Sequence, residues 1–284
     1  MNGAFTVAVE GAVISGETGF PAQAATSGSL TDRFAPTHAG PAFAGAPLVM
    51  VHGMAGDRHE WDPLVAALPA TLATLRYDLR GFGRSEAEDV EFSHADDLLA
   101  LFDARGLGRA PLLGLSMGAA VALNFALSHP ERVERLILIS PWLTGWEASD
   151  DWKALWRGVT EAARAGDLAL ARRRWFDHPM FAPLRRDPVA AADLRRAIDA
   201  YPGRQWVRDP QRAELPDIER LHTLAVPTLL LTGEHDHPDL RLIAEVIVGA
   251  APGVRRIDYA DAGHMLHVER TAAVAGAIAA FLDG

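Results

Sequence analysis

The chain has 284 residues, 49% hydrophobic and 23% charged, which is enough for one large α/β domain or two smaller ones, with an ample core. A formal net charge of −10 without any basic stretch excludes an electrostatic footprint for nucleic acid. The absence of cysteine excludes disulfides, thiolate metal sites and cysteine nucleophiles together.

No basic start followed by an apolar core marks the first residues as a signal peptide. No uninterrupted apolar span approaches the roughly 20 residues of a membrane helix. The expectation is a cytoplasmic protein that meets a small-molecule substrate, with neither nucleic acid nor membrane as partner; a homo-oligomer stays open.

In chain order, Phe5–Val9 and Ala12–Ile14 read as strands, Gly16–Ser29 as turn or loop, and Leu30–Phe34 as a further strand. They suit an antiparallel edge to a sheet. From Pro47 the pattern becomes α/β alternation. Leu48–Val51 is a buried-type strand running into His52-Gly53-Met54-Ala55-Gly56, and a helical segment spans Glu60–Leu68. The strand Thr74–Tyr77 ends in the glycine-punctuated loop Asp78–Ser85. Ser93 with Asp96 resembles a capping box opening a helix to about Arg105.

Pro111–Ser128, reading PLLGLSMGAAVALNFALS, organises the rest. A short apolar strand meets Ser116, and an Ala/Leu-rich helical pattern follows at once. Gly114 and Gly118 flank the serine in a G-x-S-x-G pattern, set in the strand–turn–helix context that makes it informative. Glycine removes the collision that side chains there would have with the crossing strand and helix. The hydroxyl then stands at a helix N-terminus, where the dipole favours developing negative charge.

Val133–Ile139 is the next strand, after which the alternation stops. Residues 142–224 are helical in pattern, slightly basic within an acidic chain, and hold Trp142, Trp146, Trp152, Trp156, Trp175 and Trp206 out of seven tryptophans. Most of these aromatics suit a core of their own. Trp142, Trp146 and, third, Trp206 are the candidates for the roof of a pocket over Ser116. The arginines at 172–174, 185 and 186 are expected to be solvated. Alternation resumes with Val226–Thr232, then Gly233-Glu234-His235-Asp236, a helix to about Val248, the strand Val254–Tyr259, the loop to His264, and a final helix ending near Leu282.

A serine hydroxyl needs a base to take its proton and a third group to orient that base. Asp236 and His264 each follow a late strand, so with Ser116 all three project from the carboxyl edge of one sheet, in the order Ser, acid, His. Asp261 and Glu234 are weaker rivals for the orienting acid. His52 is expected to shape the loop after the first parallel strand. His235 and His237 could hold a metal only with further ligands that the sequence does not offer, so no metal is expected. His267 suits either a structural place or the pocket mouth.

Together HGMAG at His52–Gly56, DLRGFGRS at Asp78–Ser85, GLSMG at Gly114–Gly118, GEHD at Gly233–Asp236 and AGH at Ala262–His264 resemble the α/β-hydrolase superfamily, in its group with a helical cap. The resemblance covers nearly everything from Pro47 to Leu282. It implies an α/β-hydrolase fold: a mostly parallel sheet with helices on both faces and a cap inserted after strand six. The division would be a core of residues 1–141 and 225–284 around a cap of 142–224. It implies an oxyanion hole from the backbone N–H groups of Met54 and Met117, donors of a kind worth about 3–4 kcal/mol each.

The implied activity is cofactor-free hydrolysis of a carboxylic ester or lactone of a mainly apolar small molecule. Ser116 stands where haloalkane dehalogenases carry aspartate. Carbon–carbon bond hydrolases of ring-fission products usually carry Asn before the nucleophile and an aromatic after the histidine, where Leu115 and Met265 stand here. That class is disfavoured but remains an alternative. A ligand-binding receptor on the same scaffold is the alternative from another class; it would have no need of an intact triad.

Overall fold

The computed structural model describes residues 3–19 and 45–284. Its frame is one eight-stranded sheet in the order β1-β2-β4-β3-β5-β6-β7-β8. The strands are β1 Gly3–Val9, β2 Ala12–Gly19, β3 Leu48–Val51, β4 Thr74–Tyr77, β5 Ala110–Leu115, β6 Val133–Ile139, β7 Thr228–Gly233 and β8 Val254–Tyr259. β1 and β2 form an antiparallel hairpin whose second strand pairs antiparallel with β4, and every pairing from β4 to β8 is parallel.

β2 continues through Gly16 to Gly19, where a loop was expected from the glycine and threonine content. Pairing with both neighbours overrides that weak local preference. Gly16 has its own reason to be there, since a Cβ would meet the Phe5 ring at 2.4 Å and Arg76 O at 2.7 Å. The expected strand Leu30–Phe34 lies outside the described residues.

β3, β5 and β7 are buried at every residue, as parallel strands covered on both faces must be. The helices of the core are α1 Asp62–Ala67, α2 His94–Ala104, α3 Met117–Ser128, α9 Pro238–Ala250, α10 Leu266–Glu269 and α11 Thr271–Asp283. Ser93 caps α2, its hydroxyl accepting from Ala95 N and Asp96 N. Among the described residues no helix is long and apolar enough to cross a membrane.

Between Ile139 and Thr228 every named element is helical: α4 Asp150–Arg164, α5 Leu168–Phe176, α6 Pro188–Ala200, α7 Arg204–Val207 and α8 Asp217–Arg220, with short 3₁₀ turns. Two polar staples tie this insertion to the core. Near its start, Trp146 Nε1 donates to Asp239 Oδ1 on α9 at 2.9 Å, and Ser149 N and Oγ donate to the same carboxylate. Burial opposes ionisation of Asp239, yet the Ser149 and Trp146 hydrogen bonds hold its carboxyl below the usual range. Near its end, Asp217 accepts from Asn124 Nδ2 of α3 at 3.0 Å and from Arg220.

Candidate active site

Ser116 sits between β5 and α3 with φ 53° and ψ −115°, a backbone conformation that L-residues adopt only under constraint. Neighbouring elements supply that constraint. Ser116 N donates to Ile139 O of β6 at 2.9 Å, and Trp142 N donates to Ser116 O at 3.1 Å. A Cβ on Gly114 would stand 2.3 Å from Gly118 O, and one on Gly118 would stand 2.2 Å from Val51 O and 2.4 Å from His52 O. The two glycines therefore let β3, β5 and α3 cross at backbone contact, which throws the serine side chain out over the sheet edge.

His264 is buried with its Nδ1 3.1 and 3.2 Å from the two carboxylate oxygens of Asp236. That contact selects the tautomer, because an Nδ1–H pointing at a carboxylate leaves Nε2 to accept a proton. Asp236 is itself fixed by His237 N, which donates to Oδ1 at 2.7 Å. The His264 loop is held on both sides. Glu269 accepts from Gly263 N at 2.7 Å and from Met265 N at 3.0 Å, while Met180 O of the insertion accepts from His264 N at 3.4 Å. Burial pushes the Glu269 acid upward, against the pull of those two amides.

A cavity of about 510 Å³ has both Ser116 and His264 in its wall. On one side runs the loop Gly53–Asp57, including Met54, with His59, Glu60, Asp62 and Pro63 beyond it. The insertion supplies the opposite side: Trp175, Phe181, Leu184 and the α6 face of Ala190, Leu194 and Ala197, with Asp193 and Arg196 at its rim. Met265 and Val268 complete the wall. A wall of this size, largely apolar, suits a small organic ligand. Phe181 also packs edge-on against the His264 ring, at 5.9 Å between centroids.

The loop beside the serine is built on two buried side chains. His52 Nδ1 lies 2.8 Å from Gly53 O and its Nε2 accepts from Leu79 N at 2.9 Å, so the ring spans from this loop to the loop that follows β4. Burial drives the His52 pKa down, which keeps it a neutral spacer. Asp78 accepts from Arg58 N at 2.8 Å, from the Arg58 guanidinium and from Arg84 N at 2.9 Å.

Several expected substrate-binding residues lie away from this wall. Trp142 stacks on Trp152 at 4.8 Å, and Trp146 spends its indole N–H on Asp239. Trp206 is fully buried against Tyr201 and Trp175, and His267 is fully buried on the Trp61 ring. Trp206 and His267 are spent inside packed interior, while Trp142 and Trp146, half-buried, turn their rings to Trp152 and Asp239. The insertion's side of the wall is instead made by Trp175, near the end of α5, and by Phe181 and Leu184, which lie in the short turns at Pro179 and Pro183. No periodicity in the sequence singled these three out.

The rival acids part from His264. Asp261 is exposed and pairs with Arg270 at 3.0 Å, and Glu234 is exposed at the end of β7. His235 is exposed, whereas His237 is buried with its Nδ1 accepting from Asp239 N at 3.2 Å. Among the described residues Glu17, His59 and Asp62 come within ligand distance of one another, but Arg76 already bonds both carboxylates. Arg172, Arg174 and Arg185 donate to backbone carbonyls within the insertion rather than toward the cavity.

The sequence profile of the alpha/beta hydrolase fold matches residues 46–271. The carboxylesterase YbfK of Bacillus subtilis is 29% identical over 281 residues, covering 90% of this chain and 87% of that one. The 3-oxoadipate enol-lactonase 1 of Acinetobacter baylyi is 25% identical over 229 residues, 79% of this chain and 84% of that one. The crystal structure of the enol-lactonase of Burkholderia xenovorans superposes with a TM-score of 0.79 at 24% identity, over 98% of this chain and all of that one.

Proposed function

The chain belongs to the α/β-hydrolase fold family, and on that premise we propose that it hydrolyses carboxylic esters or lactones of mainly apolar small molecules through an acyl-enzyme on Ser116. The coarser part, an ester or lactone hydrolase, is in keeping with relatives named as carboxylesterase and enol-lactonase. The observation that carries the finer part is the strained serine at the sheet edge, sharing one cavity with a histidine whose Nδ1 is committed to a buried carboxylate.

In this reading Ser116 Oγ attacks the acyl carbon while His264 Nε2 takes its proton. The carbonyl oxygen becomes an oxyanion, for which the amides of Met54 and Met117 are the candidate donors; Met117 is the first residue of α3, so the helix dipole adds to its pull. Collapse breaks the bond to the leaving oxygen, which departs with the proton from His264. A water molecule then gives its proton to His264 and its oxygen to the acyl carbon, and Ser116 is regenerated. Asp236 supports the imidazolium in both halves. The acyl chain would lie along Phe181, Leu184, Leu194 and Val268, whose apolar wall excludes water and raises the worth of the oxyanion dipoles.

The test is multiple-turnover hydrolysis of p-nitrophenyl esters of graded chain length, with labelling by a fluorophosphonate. Sustained turnover, a label on Ser116 and the loss of both in Ser116→Ala are expected. Turnover that survives Ser116→Ala sinks the nucleophile assignment; a single burst without turnover favours the receptor reading.

A further inference from the structure

One carboxyl in the cavity wall is not used by that mechanism. Glu60 lies in the 3₁₀ turn Arg58–Trp61, and its side chain reaches back to the loop beside Ser116. Its Oε1 accepts from Gly53 N at 2.9 Å. Its Oε2 lies over Gly56, where a Cβ would stand only 2.2 Å away. Gly56 N in turn donates to Gly53 O at 3.2 Å. The loop 53–56 is thus folded around this carboxyl, with a glycine at one end to be bonded and a glycine at the other to make room.

From this geometry we propose that Glu60 is a positioning residue of the reaction, holding the Gly53 peptide so that the next amide, that of Met54, faces the acyl oxygen. The inference rests on the hydrolase reading above. Its consequence is a requirement on charge. A carboxylate one peptide away from the developing oxyanion would repel it, whereas a neutral acid keeps the acceptor and adds no charge. The surroundings favour the neutral acid. Burial in the wall pushes Glu60 up to about 8, the Gly53 amide pulling the other way and Asp57 adding to the rise.

Other ionisable groups near it do not reverse this. Arg58, on the same turn, is committed to Asp78 of the β4 loop, and His59 and Asp62 are exposed and face each other at 3.3 Å. From the C-terminal segment come His264, bound to Asp236, and His267, held neutral down to about 3 by burial. Across the cavity on α6, Asp193 and Arg196 pair with each other. The sign is therefore fixed: Glu60 is protonated and supportive at neutral pH and becomes an opposing charge as pH rises through about 8.

The experiment compares wild type, Glu60→Gln and Glu60→Leu. Gln keeps the acceptor without the titration, so its kcat at pH 7 should stay within about threefold of wild type, while its activity should persist above pH 8 where wild type declines. Leu removes the acceptor, so kcat should fall on the order of 10- to 100-fold with KM changed by about twofold or less, since the lost contact matters in the transition state. An unchanged kcat in folded Glu60→Leu, or the same alkaline decline in Glu60→Gln, overturns the proposal. Should Glu60→Leu fail to fold, the alkaline limb of Glu60→Gln decides alone. Melting temperature against pH separates this from the reading beneath it. An acid raised in the fold costs stability as pH rises from about 4.5 to about 8, so wild type should lose melting temperature over that window relative to Glu60→Gln. That difference survives even if Ser116→Ala shows the hydrolase reading to be wrong, and its absence counts against the neutral acid itself.

Discussion

Asp236 faces His264 with both carboxylate oxygens, at 3.2 and 3.1 Å from the same ring nitrogen, in a pair with almost no solvent contact. Removing one oxygen's charge should therefore be felt directly by the imidazolium. Asp236→Asn is expected to lower kcat on the order of 10³- to 10⁴-fold, as the amide disturbs the tautomer and leaves the positive charge unsupported. Asp261→Asn, at an exposed ion pair with Arg270, should change kcat by about threefold or less. Steady-state kinetics of both variants with one ester substrate is the check, and the reverse ranking would move the orienting role to Asp261.

The crossing behind Ser116 predicts a sharp contrast among glycines. Gly118→Ala places a methyl against two backbone oxygens that cannot step aside, so it should cost at least about 2 kcal/mol of stability and most of the activity. Gly276→Ala, in the interior of α11 with nothing within 4 Å of the added methyl, should instead gain about 0.5–1 kcal/mol. Urea unfolding of the pair tests this. A Gly118→Ala protein as stable as wild type would mean that the strand–helix crossing is looser than the geometry demands.

Substrate range should follow the residues that face the cavity rather than the most numerous aromatics. Phe181→Ala enlarges the wall beside His264 and is expected to shift preference toward longer or bulkier acyl groups. Trp146→Phe keeps an aromatic but smaller ring and loses the bond to Asp239, and should lower the melting temperature while leaving the acyl-chain profile as it is. Relative kcat/KM across a graded p-nitrophenyl ester series separates the two. A changed profile in Trp146→Phe would return this tryptophan to the roof.

Glu269 braces the histidine loop through the amides on either side of His264, at Gly263 and Met265. Losing both bonds should let the ring drift by a fraction of an ångström, enough to cost on the order of 10- to 100-fold in kcat. Glu269→Ala is expected to show that loss with labelling of Ser116 by a fluorophosphonate slowed in parallel. Glu269→Gln can accept from only one of the two amides and should fall between. Wild-type kinetics in Glu269→Ala would mean that the Met180 contact alone holds the loop.

What the sequence determined by itself was whatever depends on near neighbours along the chain. The strand–turn–helix around Ser116, the two glycines beside it, the alternation of apolar strands with amphipathic helices and the late-strand loops carrying Asp236 and His264 are all set by local sterics and periodicity. The helical run between β6 and β7 was legible for the same reason. The tertiary structure alone decided which side chains of that run meet the cavity. Trp146 and Asp239 are 93 residues apart, and Trp206 is claimed by Tyr201 and Trp175. An indole reads the same in sequence whether its surface is spent on neighbouring helices or on a ligand. Glu60 was hidden in the same way: a glutamate in a polar stretch looks like a solvated one until the loop after β3 folds back and Gly53 bonds to it. Burial and partner choice are sums over contacts between distant segments, and no local pattern along the chain encodes them.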